Sequence, residues 1–291
     1  MLPQWKAQFG CFDLVVRTDR QPRSIVMVHD IAIGGDDVIV MAGPCAVESE
    51  RQLLETAEAV AAAGARILRG GAYKPRSSPY AFQGLGVAGL KLLRKASQAT
   101  GLRIVTEVLS EAEVDLVAEY ADLIQVGARS MENYTLLESL GKCRRPILLK
   151  RGMVATLEEF LRSAQVIARA GNPHVILCER GIRTFETATR NTLDISAVAV
   201  LKLVSHLPVI VDPSHAAGIP CLITPLARAA VAAGADGLLV EVHPAPEQAL
   251  SDGDQALAIP EFRSMMDDLQ PYLEIQRVRR RGPQLLALGA D

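Results

Sequence analysis

Cysteine, aromatic residues and long apolar runs are all scarce in this chain, and net charge is nearly absent. The five cysteines among 291 residues, Cys11, Cys45, Cys143, Cys178 and Cys221, are odd in number, widely spaced and free of any C-x-x-C pair. That excludes a disulfide-stapled scaffold or a zinc finger. Aromatic residues make up 4% of the chain, with a single Trp, so the scattered Lys and Arg have no stacking platform for single-stranded nucleic acid. A net charge of −2 supplies no global attraction to nucleic acid or to an anionic membrane. No stretch approaches 18 uninterrupted apolar residues, and the opening MLPQWKAQFGCFDLVVR lacks a signal peptide's apolar core and small-residue cleavage site. A cytoplasmic protein is expected. Two catalytic signatures are missing as well, the P-loop G-x-x-x-x-G-K-[ST] and the hydrolase elbow G-x-S-x-G. Gly84, Gly86 and Gly89 match G-x-G-x-x-G in spacing only, because no strand runs into them.

What is present is an ordinary globular composition, 49% hydrophobic and 22% charged. Eight short apolar runs recur at residues 38–45, 65–72, 102–108, 121–128, 146–152, 174–181, 207–215 and 234–243. Their nearly continuous hydrophobicity is that of parallel strands buried on both faces. Segments with Ala and Leu at helical spacing lie between them. SERQLLETAEAVAAAGA (49–65), with Ser49 as N-cap, and TLEEFLRSAQVIARAG (156–171) both close at Gly. Eight strand–helix units predict a (β/α)8 barrel over residues 38–272, with an open doubly wound sheet as the rival because strand order is invisible in sequence. Residues 1–37 read as an extension in which the segment SIVMVHDIAIGGDDVIV, running into the first strand, resembles a short hairpin with Gly34 and Gly35 near its turn, capping the barrel bottom. Residues 273–291 read as a basic and then apolar tail, frayed or in contact with another subunit.

In such a barrel the chemistry lies at the carboxyl ends of the strands, and a polar or metal-capable residue follows each run: Cys45, Arg69, Glu107, Arg129, Lys150, Arg180, His215 and Glu241. With Lys74 and Arg76 after the second strand, six cations surround one mouth. They repel one another unless anions bind between them, so the substrate is expected to be anionic. Arg suits a bidentate grip on carboxylate or phosphate, whereas Lys offers a point charge and a movable proton. Cys45, His215, Glu241 and Asp252, from the first, seventh and eighth strand regions, form a mixed S/N/O set suited to Mn²⁺, Fe²⁺, Co²⁺ or Zn²⁺, and His243 competes as a ligand. Glu107 reads as an ionised group that orients water, and Asp212 of DPSH as the anchor of the loop carrying His215.

GPCAVES, ILRGGAYKPRSSPYAFQGLG, IVTEV, QVGARSMENYTLL, LLKRGM, ILCERGIRTFE, DPSHAAG and VEVHPAPEQALSDGDQ, in that order over residues 38–270, closely resemble the type Iβ 3-deoxy-D-arabino-heptulosonate 7-phosphate synthases. The resemblance implies condensation of phosphoenolpyruvate with erythrose 4-phosphate and water, releasing phosphate, as the first step of the shikimate pathway. By matching motifs it implies that Arg69, Lys74, Arg129, Lys150, Arg180 and the backbone N–H of Ala128 hold phosphoenolpyruvate, with Lys74 also transferring a proton. Pro75, Arg76 and Ser77 would receive erythrose 4-phosphate, Ser77 standing where the family usually has Thr. Cys45, His215, Glu241 and Asp252 match its metal ligands, and Glu107 its water-orienting residue. Two other readings stay open: a 3-deoxy-manno-octulosonate 8-phosphate synthase, which uses arabinose 5-phosphate and carries a KANRS-like segment at this KPRSS, and a non-catalytic barrel partnering a chorismate mutase. The resemblance further implies a homo-oligomer, tetramer or dimer. With only 37 residues before the barrel, feedback inhibition by Phe or Tyr is not expected.

Overall fold

The computed structural model describes residues 3–74 and 80–281. Pro75, Arg76 and Ser77, and residues 282–291 of the expected tail, lie outside the described residues. Eight parallel strands, β3 (Ile39–Gly43), β4 (Ile67–Arg69), β5 (Arg103–Val108), β6 (Leu123–Val126), β7 (Ile147–Lys150), β8 (Val175–Glu179), β9 (Val209–Val211) and β10 (Gly237–His243), pair in sequence order. The sheet closes through β9 and β10, where Gly237 faces Ile210 and Leu238 faces Val211. The fold is therefore a (β/α)8 barrel, and the open sheet is excluded. Every strand lies inside one of the eight apolar runs.

Both faces of the strands are covered. Helices α2 (Glu50–Ala62), α3 (Val87–Thr100), α4 (Val114–Tyr120), α5 (Tyr134–Lys142), α6 (Leu157–Arg169), α7 (Ile195–Val204) and α9 (Pro220–Ala232) form the outer ring with α10 (Ile259–Arg281), and the short α8 (Pro213–Ala217) follows β9. Caps set their starts: Ser49 accepts from Gln52 N–H, and Thr156 forms a capping box with Glu159. In α6, Phe160, Leu161, Ala164 and Ile167 are buried, the stripe expected of a helix laid on a sheet. Inside the barrel, Met41, Ile67, Val105, Leu123, Leu148, Ile176, Ile210 and Leu239 supply one lumen side chain per strand. The lumen is thus a packed core rather than a channel.

The extension holds more than a hairpin. A helix, α1 (Pro3–Phe9), comes first, and Phe9, Phe12, Val15 and Val16 join the core between barrel and helices. The hairpin pairs β1 (Val26–Val28) with β2 (Ile31–Ile33), Val28 facing Ile31. Its turn is His29–Asp30, not Gly34–Gly35. Only a two-residue turn puts Val26, Val28, Ile31 and Ile33 on one face, and His29 adopts the left-handed φ of 53° that such a turn requires. Those four side chains belong to the lumen cluster. Asp30 reaches Arg103 at 2.6 Å and His29 reaches Asp122 at 2.8 Å, at the amino ends of β5 and β6.

The chain has no break at residue 272. α10 runs on to Arg281, and Arg279–Arg281 are its last turn. Arg277 pairs with Asp37 and Arg281 with Asp36, while Arg280 reaches Asp236 at 3.3 Å. Basic side chains in a last turn also complement the helix dipole. A short strand, β11 (Leu257–Ala258), joins β10 just before α10. Among the described residues no helix is long and apolar enough to cross a membrane.

Two outcomes follow from this lower end. Truncating the lumen side chain of the plug, Ile33→Ala, should cost about 2–5 kcal/mol in urea unfolding, whereas Met27→Ala, on the outer face, should cost under about 0.5 kcal/mol. His206 is held as a neutral ring, Nε2–H donating to the Leu14 carbonyl at 3.0 Å and Nδ1 accepting from Ser24 Oγ at 2.8 Å. Burial lowers its pKa below 6.5. The unfolded chain therefore takes up a proton before the folded one does, and stability is lost as pH falls below about 6.5. The His206→Gln variant should flatten that part of the Tm-against-pH curve.

Candidate active site

The strand ends bring the predicted residues to one mouth. Arg69 ends β4, Lys150 ends β7, and Glu107 and Glu241 lie near the ends of β5 and β10. Arg129 sits in a single helical turn after β6, and Arg180 directly follows β8. With Lys74, Ala128, His215 and Asp252 these line a cavity of about 100 Å³, Cys45 and Glu241 lying beside it. Sequence reasoning missed Gln125, Met153, Arg190, Ser251 and Gln255. A lone Gln inside the apolar run ADLIQV was a readable signal for Gln125; Arg190 and Gln255 carried none.

Two networks fix the geometry. On one side, Asp212 caps α8 by accepting the His215 N–H at 2.9 Å, and Pro213 at the first helical position nucleates the turn. The other carboxylate oxygen of Asp212 takes His215 Nδ1 at 2.7 Å and Lys150 Nζ at 2.5 Å. The imidazole is thereby held as the tautomer whose Nε2 lone pair faces Glu241 Oε1, 3.5 Å away. Burial pushes the His215 pKa down, against the pull of Asp212 and Glu241, so the ring is neutral. Asp212 lies well below the usual carboxylate range, because the Lys150 charge and two hydrogen bonds from His215 outweigh its burial. On the other side, Cys45 Sγ lies 3.0 Å from Asp252 Oδ2, 3.1 Å from Ser251 Oγ and 3.0 Å from Lys74 Nζ. Burial, then Glu241, pushes the Cys45 thiol up to about 12, so it holds its proton. Asp252 is in the left-handed region at φ 53°, a conformation Asp tolerates and one that aims its carboxylate at Cys45. Burial works against the Lys74 charge, but the nearby carboxylates Glu107 and Glu241 favour it and the net shift is upward. Lys74 is an ammonium at neutral pH.

Two cations of the ring have carboxylate partners within the protein. Arg69 Nη1 lies 2.6 Å from Glu241 Oε1, and Lys150 pairs with Asp212. The expected repulsion is therefore partly relieved by the protein itself. Arg180 is different: it is 4% exposed, its Nη2 reaches only the His215 carbonyl at 3.3 Å, and its Nε and Nη1 are buried without a partner. Arg69 Nε is also unpartnered, and among the described residues Arg129 has no carboxylate within ion-pair distance. Unmade charged donors are costly. Below it, Arg151 spans Glu179, the residue before Arg180, and Asp194 at 2.9 Å each. Across the mouth Gln125 Nε2 donates to Glu107 Oε2 at 3.1 Å, and any Cβ at Gly127 would collide with the Glu107 carboxylate.

Among the described residues no three His, Cys, Asp or Glu side chains are gathered tightly enough to form a ready metal site. The four candidate ligands instead stand as two close pairs, Cys45–Asp252 and His215–Glu241, each carrying a protein cation, Lys74 on the first and Arg69 on the second. Their chemistry fits a borderline divalent ion: a thiol that only strong positive charge would ionise, an imidazole with its lone pair directed inward, and two carboxylates. His243 is not among them. Its Nε2 lies 3.4 Å from Glu48 and its Nδ1 accepts from Ala245 N–H.

A family model described as the DAHP synthetase I family matches residues 14–274. The chain is 52% identical over 268 residues to the phospho-2-dehydro-3-deoxyheptonate aldolase of Thermotoga maritima, spanning 92% of this chain and 79% of that protein. A solved truncated form of the 3-deoxy-D-arabino-heptulosonate 7-phosphate synthase from Thermotoga maritima superposes with a TM-score of 0.85 at 48% identity, covering 91% of this chain and 98% of that one. Identity to the 2-dehydro-3-deoxyphosphooctonate aldolase of Acidithiobacillus ferrooxidans is 33% over 251 residues, 79% of this chain and 88% of that one. With a model matching nearly the whole barrel and a half-identical relative, the chain belongs to the DAHP synthetase I family.

Proposed function

We propose that this enzyme condenses phosphoenolpyruvate with erythrose 4-phosphate and water to give 3-deoxy-D-arabino-heptulosonate 7-phosphate and phosphate, with a divalent metal ion. The observation that carries the reading is Arg180, a buried guanidinium with two unpartnered donors beside Lys150 and Arg129 in the mouth. A fixed planar fork of that kind suits phosphate or carboxylate oxygens. Arg180, Arg129 and Lys150, with Arg69 and the Ala128 N–H, hold the carboxylate and phosphate of phosphoenolpyruvate, and Pro75, Arg76 and Ser77 receive the sugar phosphate.

Carbon 3 of phosphoenolpyruvate attacks the aldehyde carbon, water adds at carbon 2, and the carbon–oxygen bond to phosphate breaks. Lys74, charged and buried next to Cys45, delivers a proton to the aldehyde oxygen as the new carbon–carbon bond forms. Glu107, steadied by Gln125, orients the water. Holding both substrates in one enclosed mouth supplies the alignment that a two-molecule condensation otherwise lacks. Cys45, His215, Glu241 and Asp252 would hold the metal ion, which supplies polarisation of the aldehyde carbonyl. The family resemblance supports a cytoplasmic homo-oligomer; a chorismate mutase is the partner to test.

Phosphate release from phosphoenolpyruvate by chelator-stripped protein should be absent and should return on adding Mn²⁺ with erythrose 4-phosphate. Turnover with arabinose 5-phosphate instead would overturn the substrate assignment, and silence with both would leave a non-catalytic barrel. Lys74→Met should lower kcat about 10²–10⁴-fold, and Arg180→Ala should raise the KM for phosphoenolpyruvate at least tenfold. Cys45→Ala should abolish metal-dependent turnover with circular dichroism unchanged; full activity at full metal occupancy would remove Cys45 from the ligand set.

A further inference from the structure

A cavity also opens at the end of the barrel opposite the mouth. Its volume is about 740 Å³, in the range of small-molecule sites. The last turns of α7, α9 and α10 and the segment leading into the hairpin enclose it, as the lining residues Lys202, Ala233, Gln276 and Arg23 show. None of the residues assigned to the condensation lines it.

Its charge is unbalanced. Arg17, Arg23, Lys202, Arg279 and Arg280 line the cavity, against a single carboxylate, Asp236. One oxygen of that carboxylate already accepts two hydrogen bonds. Asp236 Oδ2 accepts the Val209 N–H at 2.7 Å and Lys202 Nζ at 2.6 Å, and Oδ1 lies 3.3 Å from Arg280. Three helix carboxyl ends add partial negative charge, each equivalent to about half a unit, and Arg280 takes up two of their neighbouring carbonyls, Gly234 and Ala235. Asp36 and Asp37 also act on Arg280 from beyond the lining, yet the five lining cations outnumber these carboxylates. Arg23 and Arg280 both donate to the Gly35 carbonyl, and Arg23 Nε is buried with no partner. Burial holds the Lys202 and Arg280 pKa values down despite Asp236, and nearby Arg23 adds to the effect. Ala199, Leu203, Ala233 and Val278 form an apolar stretch of wall, with Ser205, His206 and Gln276 beside it.

We infer that this cavity is a second ligand site, built for a small organic anion whose carboxylate, sulfonate or phosphate meets Arg23, Lys202 and Arg280 while its apolar body lies against Leu203 and Val278. Charge complementarity selects the anion, since a neutral ligand leaves the crowded guanidinium groups as they are and a cation adds to the repulsion. The apolar wall selects against inorganic phosphate, which would leave most of the cavity unfilled.

The test uses 8-anilinonaphthalene-1-sulfonate on the full chain, read by fluorescence, with N-phenyl-1-naphthylamine as the same body without its charge. We expect one saturable sulfonate site per chain, at least tenfold tighter than the neutral dye and not displaced by phosphoenolpyruvate. Arg23→Glu should weaken it at least tenfold. Leu203→Trp narrows the apolar wall from a side chain 47% exposed, so it leaves the fold intact and should weaken binding independently. Equal affinity for the two dyes, displacement by phosphoenolpyruvate, no saturable binding, or binding that survives Leu203→Trp in protein with an unchanged Tm would each overturn the inference.

Discussion

Closure of the parallel sheet between β9 and β10 is the contact on which the rest of the molecule depends. At that seam Gly237 leaves no room for a side chain: a Cβ would run into the Ile39 carbonyl on one flank and come within 3.0 Å of Ile210 on the other. Asp236, one residue earlier, ties the amino ends of both strands by donating its N–H to Val209 O at 2.6 Å and accepting the Val209 N–H. Once the seam is closed, the first strand lies beside the eighth, which lies beside the seventh. Cys45, Glu241 and His215, up to 196 residues apart in the chain, then have to share one mouth.

The two ends of the barrel solve different electrostatic problems with the same residue types. At the mouth, carboxylates are placed so that each holds a cation and positions a second group: Asp212 aims His215 while pairing with Lys150, and Glu241 faces His215 while pairing with Arg69. Breaking such a buried pair by removing one partner leaves an uncompensated charge and costs several kcal/mol. The arrangement is therefore stiff before any ligand arrives. What it leaves unmade are the Arg180 Nε and Nη1 donors and the Arg69 Nε. At the foot, one carboxylate serves both the seam and two cations, and the surplus positive charge faces open volume.

The parallel strands, the capped helices and the positions of the chemistry were legible in the chain because they are local. A strand buried on both faces needs a run of apolar residues, and a strand-end functional group must follow that run within a few residues. Arg69, Lys150 and Arg180 could be found this way. The hairpin turn was misplaced because Gly-Gly is the stronger turn signal locally, whereas the side-chain alternation of Val26, Val28, Ile31 and Ile33 against the lumen decides the register. The basic run after residue 272 likewise read as a tail, and only Asp36, Asp37 and Asp236, distant in sequence, make it the last turn of a helix.

By itself, then, the sequence determined the barrel and which polar residues close its strands, through periodicity and strand-end position. Only the tertiary structure decided which of them pair: that Lys74 rests on Cys45 and Arg69 on Glu241, that His243 turns to Glu48, and that Gln255 and Arg190 meet beside Glu241. It alone placed a large cationic cavity at the foot. The physical reason is that pairing and enclosed volume are set by side chains brought together from distant strands and helices, and Coulomb energy and desolvation depend on those distances, which no local pattern encodes.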